Sequence, residues 1–158
     1  MRMNKSVHVL VPDAFSRWLF GRMQHLLPQQ LDGCRLLGFS SRLNCYKYDD
    51  GDRFRMHIDG QWPGYGLGKD GATMVERSGT ISKLSLLLYL NDESDGVRGG
   101  ATRLYSTQGV GQTSRPVDVQ PAKGSILCFR HGFGEDSVLH EGLGVRPGAP
   151  KYVARINA

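Results

Sequence analysis

Apolar side chains recur at helical spacing in one stretch of the chain. Phe15, Trp18, Leu19, Met23, Leu26 and Leu27 fall on one stripe of a helix predicted over Pro12–Leu27. Asp13 is its expected N-cap, and Pro28 ends it. The stripe predicts a helix packed on a sheet. After Gly33 the period changes, and short runs of aromatic, β-branched and leucine residues alternate with glycine-rich breaks. These runs predict strands near Arg42–Tyr48, Arg53–Ile58, Lys83–Leu90, Thr102–Tyr105, Pro116–Val119, Ser125–Phe129, Ser137–His140 and Lys151–Ile156. The breaks fall at Asp49–Asp52, Gly60–Gly79, Asn91–Gly100, Gly109–Ser114 and Gly142–Pro150. Many short strands with no helices between them argue against an alternating α/β fold and for a sandwich or a barrel-like double sheet. The expectation is a mainly β, single-domain chain over 1–158, with a helical N-terminal part at about 12–30 and a β core over 42–158.

Composition narrows the class without changing the fold. Hydrophobic residues at 39% and charged residues at 22% are those of a globular chain, neither disordered nor fibrous. The formal net charge of +5 would suit an acidic ligand or nucleic acid. Lys and Arg are spread along the chain, however, and no basic run interleaved with aromatics forms a phosphate track, so nucleic acid is not the expected partner. The three cysteines, Cys34, Cys45 and Cys128, include no CxxC pair. That argues against a disulfide framework or a cysteine zinc site, and for a reducing compartment. The longest nearly unbroken apolar run, Leu84–Leu90, is far short of the roughly 20 residues of a membrane helix. No charged start leads into an apolar stretch, so a cytoplasmic location is expected.

The candidate chemistry lies in Phe54-Arg55-Met56-His57-Ile58-Asp59. Residues i and i+2 of a strand share a face, so His57 and Asp59 project together. His140, at the end of a predicted strand far along the chain, supplies a third ligand. Two histidines and one carboxylate on one face of a metal leave open positions, the facial arrangement suited to non-haem Fe(II). An HxD pair alone is a weak pattern, found more often among polar surface residues. His8 and His25 have no carboxylate at useful spacing, and His131, in a glycine-rich turn, is expected to be solvated. By strand alternation Arg55 shares the face of His57 and becomes a candidate contact to substrate. Gly60–Gly79 is long for a connection in a compact β domain. It carries Trp62 and Tyr65, and such a loop could close over substrate.

The order of the parts resembles the Fe(II)/2-oxoglutarate-dependent oxygenases, in their prolyl 4-hydroxylase-like branch. The resemblance starts with Cys45-Tyr46-Lys47-Tyr48, a glycine turn, and the strand ending in His57-Ile58-Asp59. It continues through Leu86-Leu87-Leu88-Tyr89-Leu90-Asn91 and Gly99-Gly100-Ala101-Thr102. It ends with Pro121-Ala122-Lys123-Gly124, then His140-Glu141-Gly142, Gly148 and Lys151-Tyr152-Val153-Ala154-Arg155. It runs from about Arg42 to the C-terminus in unbroken order.

The resemblance implies a double-stranded β-helix, or jelly roll, with iron held by His57, Asp59 and His140 in its mouth. It implies Fe(II), 2-oxoglutarate as co-substrate and O2, with ascorbate as an added reductant. The implied reaction couples decarboxylation of 2-oxoglutarate to hydroxylation of a substrate C–H. The implied substrate is a prolyl residue in a peptide or protein, or a related small molecule. The cation for the far carboxylate of 2-oxoglutarate is implied to be Lys151, with Tyr48 and Thr102 beside it. Arg155, on the same strand face, could reinforce or replace it. The spacing from His140 to Lys151 is one residue longer than the usual pattern, the extra residue lying in the Arg146–Pro150 hairpin. Arg146 and Arg155 therefore stay open as alternatives to Lys151. Two other functions remain in play: a nucleic-acid demethylase of the same superfamily, and a metal-free jelly-roll binding module.

Overall fold

The computed structural model describes residues 2–105 and 115–158. The break expected at Gly109–Ser114 lies outside the described residues. Two five-stranded antiparallel sheets carry the fold. The major sheet has the order Ile126–Arg130, Leu84–Tyr89, Lys151–Asn157, Arg42–Tyr48, Lys5–Leu10. The minor sheet has the order Arg2–Met3, Arg53–His57, Leu139–Gly142, Thr102–Tyr105, Val117–Val119. Strands expected from the hydrophobic runs all occur, with ends displaced by a residue or two.

The run Leu84-Ser85-Leu86-Leu87-Leu88-Tyr89 is almost continuously apolar because both faces of the major sheet are covered. Leu84, Leu86 and Ile156 face one side and form a core with Leu27 and Phe39, against which Leu19, Phe20 and Met23 pack. The other side carries Tyr46, Tyr48, Leu87, Lys151, Val153 and Arg155, and it borders a cavity whose opposite wall comes from the minor sheet. The helix thus closes one face of the major sheet, while the second face is left to the cavity.

The helix itself spans Asp13–Met23 and tightens into a 3-10 turn at Gln24–Leu26. Two expectations are corrected here. Pro12, not Asp13, is the N-cap, and no side chain caps this end. The Asp13 carboxylate instead accepts from Ser41 Oγ at 2.6 Å and from the Leu67 amide at 3.3 Å, tying the helix start to the sheet and to a hairpin. Only half of the expected stripe is covered. Leu19, Met23 and Leu27 reach the core, joined by Phe20, whose ring meets Phe39 edge-on at 5.3 Å. Phe15, Trp18 and Leu26 stay exposed, because the helix turns Ser16, Leu19, Phe20 and Met23 to the core instead.

Two features were not among the expected strands. Lys5–Leu10 adds an edge strand to the major sheet although five of its six residues are exposed. Gly60–Gly79, expected as a loop, contains the hairpin Gly64–Leu67 with Met74–Arg77. Its strands pair through backbone, and glycines alternate with Tyr65 and Leu67 along one of them, so side-chain periodicity had nothing to report. Among the described residues no helix is long and apolar enough to cross a membrane.

Candidate metal centre

His57 ends one strand of the minor sheet, and antiparallel pairing sets His140 directly opposite it. The two imidazole centroids are 4.2 Å apart. Asp59 follows two residues beyond His57, and the ligand atoms of His57, Asp59 and His140 all lie within 4.8 Å of one another. The three predicted metal ligands therefore converge. His57 Nε2 is 3.5 Å from Asp59 Oδ1, and His140 Nε2 is 3.9 Å from Asp59 Oδ2. Each histidine places Nδ1 against a backbone carbonyl two residues back, Arg55 O at 2.7 Å and Val138 O at 3.0 Å. A carbonyl can only accept, so each Nδ1 carries the hydrogen and each Nε2 turns a lone pair inward.

Register explains why Arg55 is absent from this group. Between the pairs His140↔His57 and Gly142↔Phe54, two residues on one strand, Arg55 and Met56, face one on its neighbour, Glu141. That bulge breaks the alternation. Phe54, not Arg55, lands on the His57 face and stacks on its ring at 3.6 Å. Arg55 is exposed and borders neither the cavity nor the adjoining cleft. The expectation that it shares the His57 face is corrected.

Asp59 is buried at 5% exposure. Burial pushes its carboxyl up, but the two histidines when protonated, the Arg155 guanidinium and the Ser85 hydroxyl outweigh it and hold the group well below the usual carboxylate range. Arg155 Nη1 lies 2.5 Å from Oδ1, and Ser85 Oγ donates to Oδ2 at 2.6 Å. Behind Ser85 stands His131, which is buried at 4% exposure rather than solvated as expected. Its Nδ1 is 2.8 Å from Ser85 Oγ and its Nε2 is 2.9 Å from Ser82 Oγ. The Trp62 amide donates to Ser82 Oγ at 3.0 Å. Because the carboxylate must accept from Ser85, every hydrogen in the chain is assigned: Trp62 N–H to Ser82, Ser82 O–H to Nε2, Nδ1–H to Ser85, Ser85 O–H to Asp59. The turn residue His131 gave no sequence signal. The serines did give one, as polar residues within and just before an otherwise apolar strand.

Burial lowers the pKa of His140, against the opposing pull of Asp59, and burial also lowers that of His131. Both rings are therefore biased to the neutral form, which for His140 is the form that ligates. His57 Nε2 is buried without a hydrogen-bond partner. An orphaned imidazole nitrogen, a second inward-facing Nε2 and an ionised carboxylate suit Fe(II), which would satisfy all three.

Beside this group the major sheet supplies the predicted cofactor residues. Lys151 sits directly opposite Tyr48 in the strand register, and Val153 and Arg155 continue the same face. Lys151 is buried at 3% exposure. Its Nζ donates to Gly100 O at 2.5 Å and lies 5.3 and 5.4 Å from the ring centroids of Tyr48 and Tyr89. Burial alone pushes its pKa down to about 8. Gly100 has φ +68°, and a Cβ there would lie 2.9 Å from Lys151 Cδ, so the glycine clears space for the lysine stem. Tyr89 OH donates to Thr102 Oγ1 at 2.8 Å. Tyr48, Thr102, Lys151 and Arg155 border one cavity with the triad. Of the alternatives, Arg155 is engaged by Asp59, and exposed Arg146 pairs in a separate two-stranded ladder with Arg98. Trp62 and Tyr65 line an adjoining cleft of about 390 Å³ that also touches His57 and Asp59.

No curated protein matches the chain in sequence. The structure is similar over 99% of its length to a prolyl 4-hydroxylase of Pseudomonas putida, with 22% identity, a TM-score of 0.62 and 69% of that chain covered. It is similar over 99% of its length to the viral collagen prolyl hydroxylase of Paramecium Bursaria Chlorella virus-1 in a 2-oxoglutarate complex, with 18% identity, a TM-score of 0.54 and 80% of that chain covered. A Trichoplax adhaerens prolyl hydroxylase, in complex with a hypoxia inducible factor peptide fragment, matches with 18% identity, a TM-score of 0.61 and 63% of that chain covered, again over 99% of this chain. At such identities the likeness speaks for the fold, a jelly roll with one N-terminal helix. The sequence profile described as "2OG-Fe(II) oxygenase superfamily" matches residues 42–158. The chain thus belongs to the 2OG-Fe(II) oxygenase superfamily, whose members use Fe(II), 2-oxoglutarate and O2.

Proposed function

We propose that the whole chain acts as one catalytic domain that hydroxylates a C–H of a prolyl residue in a peptide or protein, or of a related small molecule. His57, Asp59 and His140 hold Fe(II), and Lys151 anchors the far carboxylate of 2-oxoglutarate. The observation that carries this reading is the shared cavity: the convergent triad and a buried lysine with no carboxylate partner among the described residues border the same space between the sheets. The structurally similar prolyl hydroxylases, one of them with a peptide fragment bound, support the substrate class.

When bound, iron with 2-oxoglutarate and O2 supplies the oxidising power, one oxygen atom ending in the substrate hydroxyl and the other in succinate as CO2 leaves. The chain's own residues prepare that chemistry. The carbonyls of Arg55 and Val138 hold the imidazoles with Nε2 inward. Ser85 and Arg155 fix the rotation of the Asp59 carboxylate. Lys151 offers a charged donor to an anion entering from the cavity, with Tyr48 and Thr102 at its sides. The sheets exclude water from the reacting groups and so strengthen these contacts.

Anaerobic addition of Fe(II) and 2-oxoglutarate is expected to give a weak visible charge-transfer band. His57→Ala and Asp59→Ala should abolish it. In air, prolyl peptides should yield succinate and hydroxylated product in equal amounts. Absence of the band in the unmodified protein would overturn the assignment of the three ligands.

A further inference from the structure

The inward face of the major sheet continues past the metal centre. From Lys151 the strand runs through Val153 and Arg155 to Asn157, and its neighbour runs from Tyr48 through Tyr46 and Asn44 to Arg42. Six residues of strand place Arg42 roughly 20 Å from Tyr48, with the metal ligands over the middle. Arg42, Asn44, Arg155 and Asn157 all line the cleft of about 390 Å³ that touches His57 and Asp59.

This end of the face collects buried polar atoms without hydrogen-bond partners. They are Arg42 Nε, Arg155 Nε, Asn44 Oδ1 and Asn157 Oδ1. Among the described residues the remaining buried side-chain atoms of this kind belong to Asn4 and to His57 alone. A folded chain satisfies nearly all such groups, so a cluster lining one cleft points to a ligand. Two of the atoms are donors on cations and two are acceptors. Arg155 is neutralised by Asp59 at 2.5 Å, whereas Arg42 has no carboxylate partner among the described residues. Its Nη2 rests 2.9 and 3.1 Å from the ring nitrogens of His8. The guanidinium carbon lies 5.7 Å from the Trp62 ring centroid and 5.5 Å from that of Tyr65. Two aromatic rings thus hold a charged fork at the wall of the cleft.

A ligand that satisfies this set needs an anionic acceptor for Arg42 and N–H donors for the asparagine oxygens. A phosphate has the first but not the second. A neutral stretch of peptide has carbonyl and N–H groups but no charge to set against Arg42. We propose that the substrate is an amino or imino acid with a free α-carboxylate, bound by Arg42 through that carboxylate and by Asn44 and Asn157 through its nitrogen. The inference deepens the proposed function and rests on the same metal centre. A free amino acid and a peptide C-terminal residue offer the same carboxylate, and the test separates them.

Protein loaded with Mn(II) and 2-oxoglutarate under nitrogen should be titrated by tryptophan fluorescence, which Trp62 reports. The probes are the free proteinogenic amino acids, their C-terminal amides, dipeptides ending in alanine and in proline, and a longer peptide, amidated at its C-terminus, with proline only in its interior. At least one carboxylate probe should bind about a hundredfold more tightly than its amide. Arg42→Gln should reduce that ratio to near unity. Binding of the alanine-ending dipeptide in preference to free alanine would identify the C-terminal source, whereas the proline-ending dipeptide, whose tertiary amide has no N–H for the asparagine oxygens, should bind more weakly than free proline. Equal binding of acid and amide, or no binding by any carboxylate probe, would overturn the inference. Product analysis in air separates this failure from failure of the prolyl reading. Hydroxylation of the interior-proline peptide alone would sink the carboxylate site and keep the prolyl substrate. Tight binding and hydroxylation of another amino acid would do the reverse.

Discussion

The two ends of the major sheet's inward face are built differently. At the Lys151 end the polar groups answer one another: Lys151 donates to Gly100 O, and Tyr89 donates to Thr102. At the Arg42 end buried donors and acceptors are left without partners, in a cleft that opens beside Trp62 and Tyr65. One end is a preformed socket for a single charged group. The other is a surface whose hydrogen bonds are completed only by something that enters. That division suits an enzyme whose co-substrate is constant and whose specificity lies with the second ligand. Between the two ends, Asp59 is held from both sides, by Arg155 of the major sheet and by the Ser85–His131–Ser82 chain.

The largest expected effect is at this midpoint. Asp59→Ala removes a ligand and strands Arg155, which is itself only 12% exposed, without its carboxylate. Breaking a buried pair costs about 3–5 kcal/mol. Iron retention should be lost and the thermal midpoint should fall, whereas Asp59→Asn should recover much of the stability and none of the iron.

Next in size is the closed end. Lys151→Met should weaken 2-oxoglutarate binding by about a hundredfold, in line with roughly 2–5 kcal/mol for one partner of a buried charged pair. Iron should stay bound. In the ligand-free protein Lys151 loses its proton near pH 8. An anion binds the protonated form, so co-substrate affinity should be flat below that pH and fall about tenfold per unit above it. Lys151→Arg should abolish this slope, because the guanidinium stays charged. Stability has the opposite sign. Between about 8 and the ordinary lysine value of 10.5 the unfolded chain holds the proton and the folded chain does not, so stability should rise with pH across that window. An unchanged 2-oxoglutarate affinity in Lys151→Met would show that Lys151 is not the anchor.

Ser85→Ala should have a smaller effect. It leaves the ligands in place but removes the donor to Asp59 Oδ2 and the acceptor for His131 Nδ1–H. A tenfold to hundredfold loss of iron affinity is expected, as for other groups that orient a metal ligand. His131→Gln should fall between this variant and the unmodified protein, with iron titration as the readout. The smallest effect is expected for Arg55→Ala. The bulge turns that side chain to solvent, so stability should change by less than about 0.5 kcal/mol and turnover by less than twofold. A large loss of turnover would place Arg55 back at the substrate.

Much of this molecule could be read from its chain. Short runs of aromatic, β-branched and leucine residues located eight of the ten strands of the two large sheets, because a covered sheet face draws such residues inward. His57, Asp59, His140 and Lys151 were legible through their order and chemistry. The edge strand Lys5–Leu10 and the Gly64–Leu67 hairpin were not, since they are held by backbone pairing and bury little. The helix stripe misled over Phe15, Trp18 and Leu26, because periodicity shows which residues share a face but not which flank of the helix the core covers, here the one with Ser16 and Phe20.

The local pattern determined which residues were available for chemistry and, through alternation, which of them share a strand face. Tertiary structure decided what that pattern could not hold. A one-residue bulge exchanged Phe54 for Arg55 beside His57. The meeting of two sheets buried His131 behind Asp59, bound Arg155 to Asp59 and left Arg42 without a carboxylate partner among the described residues. Register and burial depend on contacts between segments nearly a hundred residues apart, and no window along the chain contains both partners.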